Sequence, residues 1–250
     1  MMTTVKTASE IEALRESGRM LATVLELLRV KGQPGMTPKD MSALAKQELR
    51  ALGGEPAFLG FYGYPDIICI SVNEQVQHSI PTNQPFAAGD VVNYDFGVRF
   101  KGMVTDAGIS VCIGGQLTAD TTRLIEGTRR ALYAGIDQVK DGCRVGDISA
   151  AIENVLRKHR LGIVRELVGH GVGHELHEDP EVANYGRAGT GPVLKTGMTI
   201  AIEPITTLGK AGITEKNDGW TLVTKDSSWS AQFEHTVLVT ADGCEILTTL

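Results

Sequence analysis

One repetition constrains this chain more than any other feature. Asp40-Met41-Ser42-Ala43 returns as Asp147-Ile148-Ser149-Ala150, 107 positions later. Gly89-Asp90-Val91-Val92-Asn93-Tyr94-Asp95 returns in pattern as Gly197-Met198-Thr199-Ile200-Ala201-Ile202-Glu203, 108 positions later. Each heptad runs from a turn glycine through an apolar run to a carboxylate. Two features displaced by nearly the same offset imply two half-domains of one plan. We therefore expect residues 1–250 to form a single domain, one half over about 7–115 and the other over about 118–250. A chain of 250 residues buries enough apolar surface to hold such a domain without staples.

Each half reads as two helices followed by strands. Ile11, Leu14, Leu21, Val24, Leu25 and Leu28 form an apolar stripe at helical spacing, and Ser9 with Glu12 is expected to cap its start. The next helix is expected to have Thr37 as N-cap, Pro38 in its first turn and a stop at Gly53-Gly54. Its inward face is Met41, Leu44, Ala45, Leu49 and Leu52. Segments 124–139 and 148–161 repeat the helix pair. Segments 67–72, 91–100, 104–113, 198–205 and 233–239 read as strands. The expected fold class is α+β, with a mainly antiparallel sheet and a cleft between the halves.

Several function classes are excluded at this level. The longest apolar run is four residues, far short of a membrane span, and the polar N-terminus argues against a signal peptide. The four cysteines, Cys69, Cys112, Cys143 and Cys244, lie far apart, which argues against a Cys-x-x-Cys zinc site or a disulfide framework. A net charge of −6 without basic blocks argues against nucleic acid as a partner. A cytoplasmic protein is expected.

The chemistry stands where acids interrupt strand patterns. Asp95 and Asp106 each lie inside an apolar strand, where a carboxylate is costly unless paired or metal-bound. A hairpin turning at Lys101-Gly102 sets Gly97 opposite Asp106 and Gly108 opposite Asp95, so that the two acids share one face. Glu203 and Glu234 interrupt two more strands, and His170 sits in Val-Gly-His-Gly-Val-Gly-His, whose glycines admit close backbone approach. Two Asp, two Glu and one His, without a thiolate, suit manganese, iron or cobalt better than structural zinc. Four carboxylates suit two divalent ions at the ~3.5–4 Å spacing of two-metal hydrolytic sites.

His78 and His177 share the pattern His-x-x-Pro and are candidates to move a proton or polarise a carbonyl. His174 and His235 are expected to be ordinary satisfied histidines; His174 is close enough to the glycine loop to line the cleft, and His235 should point away from Glu234 by strand alternation. Phe58, Phe61, Tyr62 and Tyr64 fall within seven residues and can wall a small apolar pocket.

These residues stand in a recognisable order. Ile-Ser-Val-Asn-Glu-x-Val-x-His-x-Ile-Pro at 70–81, the Asp95/Asp106 spacing and Gly-His-Gly-Val-Gly-x-x-Leu-His-Glu-Asp-Pro at 169–180 come first. Gly-Met-Thr-Ile-Ala-Ile-Glu-Pro at 197–204, Asp-Gly-Trp-Thr from 218 and Ser-Ala-Gln-Phe-Glu-His-Thr to 236 complete the set. From about Thr7 onward the chain resembles the methionine aminopeptidases of the short type I class. That resemblance implies the pita-bread (creatinase/aminopeptidase-like) fold, without a zinc-binding N-terminal extension or the insertion of type II enzymes.

The resemblance further implies that Asp95, Asp106, His170, Glu203 and Glu234 bind two divalent metals (cobalt, manganese or iron, zinc being admissible), with Asp106 and Glu234 bridging. A hydroxide between the metals attacks the carbonyl of an N-terminal methionine, and Glu203 relays the proton. His177 hydrogen-bonds the carbonyl oxygen, and His78 contacts the scissile nitrogen. The methionine pocket maps onto Phe58, Phe61, Tyr64, Cys69, Leu176 and Trp220. Positions 58, 61 and 176 depart from the cysteine, tyrosine and aromatic residue common in the class. The implied substrates are nascent polypeptide N-termini with a small second residue. The implied enzyme is a monomer, and a ribosome contact is expected although no basic tail marks one. The competing readings are a prolidase-like aminopeptidase and a non-catalytic pita-bread module that binds peptides or proteins.

Overall fold

The computed structural model describes residues 2–250. In the first half, helices α1 (Ala8–Lys31) and α2 (Pro38–Leu52) precede strands β1 (Glu55–Pro56), β2 (Cys69–Val72), β3 (Gln75–Gln77), β4 (Val91–Phe100) and β5 (Met103–Cys112). Helices α3 (Ala119–Ile136) and α4 (Val145–Lys158) then precede β6 (Gly162–Ile163), β7 (Gly169–Gly171), β8 (Glu178–Val182), β9 (Thr199–Ile202) and β10 (Ile205–Thr207). The last strands are β11 (Ile213–Glu215), β12 (Leu222–Thr224), β13 (Ser230–Gln232), β14 (His235–Val239) and β15 (Cys244–Ile246). All strand pairings within these sheets are antiparallel, in keeping with the expected α+β class.

Helix starts follow capping chemistry, with one correction. α1 is capped by Thr7, not Ser9: the Thr7 hydroxyl accepts from Glu10 N at 3.4 Å and Glu10 returns a carboxylate to Thr7 N at 2.7 Å. Ser9 lies inside the helix, and Glu12 pairs with Arg15 instead. α2 begins and ends as expected, with Thr37 as N-cap, Pro38 in the first turn and Gly53 in the left-handed region at φ 81°. Met41, Ala45 and Leu49 are buried on its inner face, while Leu44 and Leu52 are half-buried. α3 starts at Ala119 behind the Thr118 cap, five residues earlier than apolar periodicity marks, because its first turn is polar.

The β4–β5 hairpin turns at Lys101-Gly102, both in the left-handed region. Its register sets Asp95 against Gly108 and Gly97 against Asp106, as alternation requires. β2 pairs with the other edge of β4, placing Cys69 against Asp95. Along β4, Val92, Tyr94, Phe96 and Val98 enter the core under α1 and α2. Asn93, Asp95 and Gly97 therefore face the opposite side. In the second half, Ile200, Ile202, Val237 and Val239 pack under α3 and α4 in the same manner. Each such buried side chain contributes about 1.5–3 kcal/mol.

The sheet of β4 and β5 meets the sheet of β9 and β14 where β5 runs against the start of β14. Glu234 N donates to Gly108 O at 2.8 Å, and Asp106 N donates to Thr236 Oγ1 at 2.9 Å. The strand expected over 198–205 is broken into β9 and β10 at Glu203-Pro204, since proline has no N–H for the ladder. The facing strand breaks at Phe233-Glu234, so the segment 233–239 enters regular pairing only at His235. Ile67 and Ile68 are buried just ahead of β2 rather than within it.

Candidate active site

Strand alternation and the paired breaks bring five side chains to one place. Asp95 and Asp106 come from regular positions of β4 and β5, and His170 from β7. Glu203 and Glu234 come from the breaks, where the backbone leaves the ladder; Asn184 Nδ2 donates to Glu203 O at 3.0 Å and holds one of them. All five are buried. Ligand atoms of Asp95, Asp106 and Glu234 lie within 4.8 Å of one another, as do those of His170, Glu203 and Glu234. Glu234 is common to both groups. His170 Nε2 stands 3.5 Å from Glu203 Oε1 and 3.9 Å from Asp106 Oδ2. Its Nδ1 lies 2.9 Å from the Gly171 carbonyl, which can only accept, so Nε2 presents its lone pair to the carboxylates.

Electrostatics make this cluster unstable by itself. Burial raises the Asp95 carboxyl to about 7, and burial with neighbouring carboxylates raises Asp106, Glu203 and Glu234 well above the usual range. Burial lowers His170 to about 3, with His177 adding to the effect. Asp95 Oδ1, Asp106 Oδ1 and Glu234 Oε1 are buried without a hydrogen-bond partner. Unpartnered carboxylate oxygens from several strands, joined by one bare imidazole nitrogen, form a donor set that fits divalent cations.

Two glutamines support the acids and escape motif reading. Gln77 Nε2 donates to Asp95 Oδ2 at 2.8 Å, and Gln232 Nε2 donates to Glu234 Oε2 at 2.9 Å. Gln232 stands two residues before Glu234, and Gln77 directly before His78, which are the only signals the sequence offers for them. The glycines opposite the aspartates make room for neighbours. A Cβ on Gly108 would stand 2.5 Å from Gln232 Oε1, and one on Gly97 2.7 Å from Phe58 Cε1.

The cluster forms the floor of a cavity of about 420 Å³. Phe58, Phe61, Tyr64, Cys69, Leu176 and Trp220 all line it, giving an apolar end beside the acids. Tyr64 is fixed there by its hydroxyl, which donates to Ser79 O at 2.9 Å, and by its edge contact with Trp220 at 5.1 Å. Tyr62 reaches the rim, exposed and in the left-handed region at φ 47°. Burial keeps the Cys69 thiol protonated.

His78 and His177 both border the cavity. Burial, reinforced by His177, lowers His78 to about 4, and desolvation also lowers His177, so both are neutral near pH 7. The His177 ring meets His170 at 4.2 Å and Phe61 at 5.2 Å, both edge-on. His174 is a satisfied surface histidine, as expected, and does not reach the cavity that its loop position also allowed: its ring turns outward, Nε2 lying 2.8 Å from Glu10 Oε1. His235 points away from Glu234 as alternation requires, with Nδ1 2.8 Å from Thr248 Oγ1.

Comparison with known proteins agrees with this geometry. The model of metallopeptidase family M24 matches residues 12–241. A methionine aminopeptidase of Clostridium perfringens is 38% identical over 247 residues, covering 99% of this chain and 99% of its own. The crystal structure of a methionine aminopeptidase from Thermotoga maritima superposes with a TM-score of 0.97 at 41% identity, covering 100% of both chains. The prolidase of Pyrococcus furiosus shares the fold alone, with a TM-score of 0.80 at 21% identity, and this chain spans 65% of it. Matched across nearly its whole length by the family model and by relatives of this likeness, the chain belongs to metallopeptidase family M24 and has its pita-bread fold.

Proposed function

We propose that this chain is a methionine aminopeptidase, which hydrolyses the bond after an N-terminal methionine and prefers a small second residue. The observation that carries this function is the continuity of one cavity, apolar at one end and lined at the other by buried carboxylates with unpartnered oxygens. We assign Asp95, Asp106, His170, Glu203 and Glu234 as ligands of two divalent ions, manganese, iron or cobalt by donor type. The count of two is supported by the two ligand groups that share Glu234. Bound there, such ions supply positive charge against the carboxylates and acidify water beside the scissile carbonyl.

The chain's own groups do the rest. The methionine side chain enters among Phe58, Phe61, Tyr64, Cys69, Leu176 and Trp220, and its α-amino group meets the acid cluster. Glu203 accepts the proton of the attacking water. His177 donates a hydrogen bond to the carbonyl oxygen as it gains charge. His78 contacts the scissile nitrogen and assists its departure as an amine.

We read residues 1–250 as one catalytic domain of two halves, supported by the helix-pair cores that flank the joined sheets. We read the enzyme as a monomer. The cytoplasm, where chains emerge from the ribosome, is the setting in which such substrates arise. A prolidase-like activity is less well supported, because the prolidase is 21% identical to this chain whereas the methionine aminopeptidases of Clostridium perfringens and Thermotoga maritima are 38% and 41% identical. A purely binding module would not need five converging ligands and both histidines.

Release of methionine from Met-Ala-Ser and Met-Lys-Ser, with manganese, iron or cobalt and with chelator, tests the function. Cleavage of Met-Ala-Ser only with metal is expected. No cleavage with any metal rejects the enzyme, and equal cleavage of both peptides rejects the small-residue preference.

A further inference from the structure

The segment before α1 lies outside the cavity, yet it is tied to the turn that carries His177. Thr3 N donates to Asp179 O at 2.6 Å, Thr3 Oγ1 donates to Thr199 O at 3.2 Å, and Lys6 N donates to Gly197 O at 2.8 Å. The Lys6 side chain is 0% exposed, and the Glu178 side chain beside it is 4% exposed. Lys6 Nζ stands 3.6 Å from Glu178 Oε2 and donates to Thr3 Oγ1 at 2.8 Å and Thr4 O at 2.9 Å. The other carboxylate oxygen, Glu178 Oε1, accepts from His174 N at 2.7 Å and Glu175 N at 3.0 Å, with His174 Nδ1 at 3.9 Å.

One carboxylate therefore closes the turn from 174 to 178, and a buried ammonium faces its otherwise unpartnered oxygen. Gly173 completes the fit: a Cβ there would stand 2.4 Å from Lys6 Cε, so the turn's backbone rests against the lysine stem. Within this turn Leu176 packs into the apolar end of the cavity and His177 presents its ring to the acids. A buried carboxylate that loses its cation must be solvated or protonated, and either outcome loosens the turn.

We propose that Lys6 is a positioning residue for the aminopeptidase reaction, holding Glu178 and, through it, the turn that aims His177 into the cavity. This inference rests on the role assigned to His177 above. The variants Lys6→Met and Glu178→Gln test it in the full chain. Lys6→Met should lower kcat for Met-Ala-Ser ten- to a hundredfold, with manganese affinity by calorimetry unchanged. The double variant Lys6→Met/Glu178→Gln should regain part of that loss, because no lone buried charge remains. Introduced into His177→Ala, Lys6→Met should add little, since its effect passes through the missing ring. The His177 Cε1–H resonance should be single in the parent and should broaden or split in Lys6→Met. Parent-like kcat and His177 signal in both single variants would overturn the proposal. So would an equal loss in the His177→Ala background, which marks a general structural role. An inactive parent protein rejects the aminopeptidase function alone, and the His177 resonance then still decides whether Lys6 positions the ring.

Discussion

At the scale of single residues, the acid cluster depends on neighbours of no obvious chemical rank. Gln77 is fully buried, gives its amide N–H to Asp95 and leaves Asp95 Oδ1 bare toward the cavity. That hydrogen bond fixes the carboxylate plane and favours its charged form. Gln77→Leu, similar in volume but without a donor, should weaken manganese binding about 10–100-fold. Calorimetric titration checks this, and unchanged affinity would remove Gln77 from the site. Gly97 works by what it lacks. Gly97→Ala drives a methyl against the Phe58 ring and should destabilise the fold by about 1–3 kcal/mol in urea unfolding, while raising KM for methionyl peptides. A parent-like unfolding curve and KM would mean the ring moves aside freely.

At the scale of elements, the helices are specified by their ends. Thr7 and Glu10 cap α1, and Glu10 also meets His174 from the turn preceding His177. Hydrogen bonds to Thr7 N, His174 and the Thr7 hydroxyl lower the Glu10 carboxyl from 4.5 to about 2. A carboxyl lowered on folding stabilises fully above its unfolded value and loses that contribution as pH falls through its folded value. Glu10→Gln should thus be less stable than the parent by a constant amount above about pH 5. The two unfolding curves should converge by about pH 2, and a gap that persists there would place the effect elsewhere. The strand breaks at Glu203-Pro204 and Phe233-Glu234 are the other decisive local feature. Alternation with Ile200 and Ile202 sets Glu203 on the cavity face with Ala201, alternation with Val237 and Val239 sets Glu234 on the face of Thr236 toward Asp106, and the regular pairing of both strands ends at these acids.

For the whole molecule, bound metal and fold are linked through the buried acids. Asp95 rises from 3.8 to about 7 on folding without metal, so its contribution is favourable at low pH and lost as pH climbs through 7. Divalent cations reverse that loss and also compete with protons for the same oxygens. Manganese should therefore raise the thermal midpoint more at pH 8 than at pH 5, and chelator should undo the gain. An equal shift at both pH values would place the metal away from these carboxylates. Much of this molecule is legible in its sequence. Hydrophobic alternation and the Lys101-Gly102 turn specify the β4–β5 register, and with it the shared face of Asp95 and Asp106, because strand period is two and a one-residue slip would bury the wrong face. The α2 cap at Thr37, the outward turn of His235 and the candidate ligands are legible for the same local reasons, whereas the α1 cap lies at Thr7 and not at Ser9. Only the tertiary structure decides what comes from across the fold. Gln232 approaches through the space left by Gly108, Lys6 reaches Glu178 from the N-terminal segment, and His174 meets Glu10. Those contacts join residues between 124 and 172 positions apart, beyond the reach of any local period, and they exist only because packing the sheets against the four helices brings such distant segments side by side.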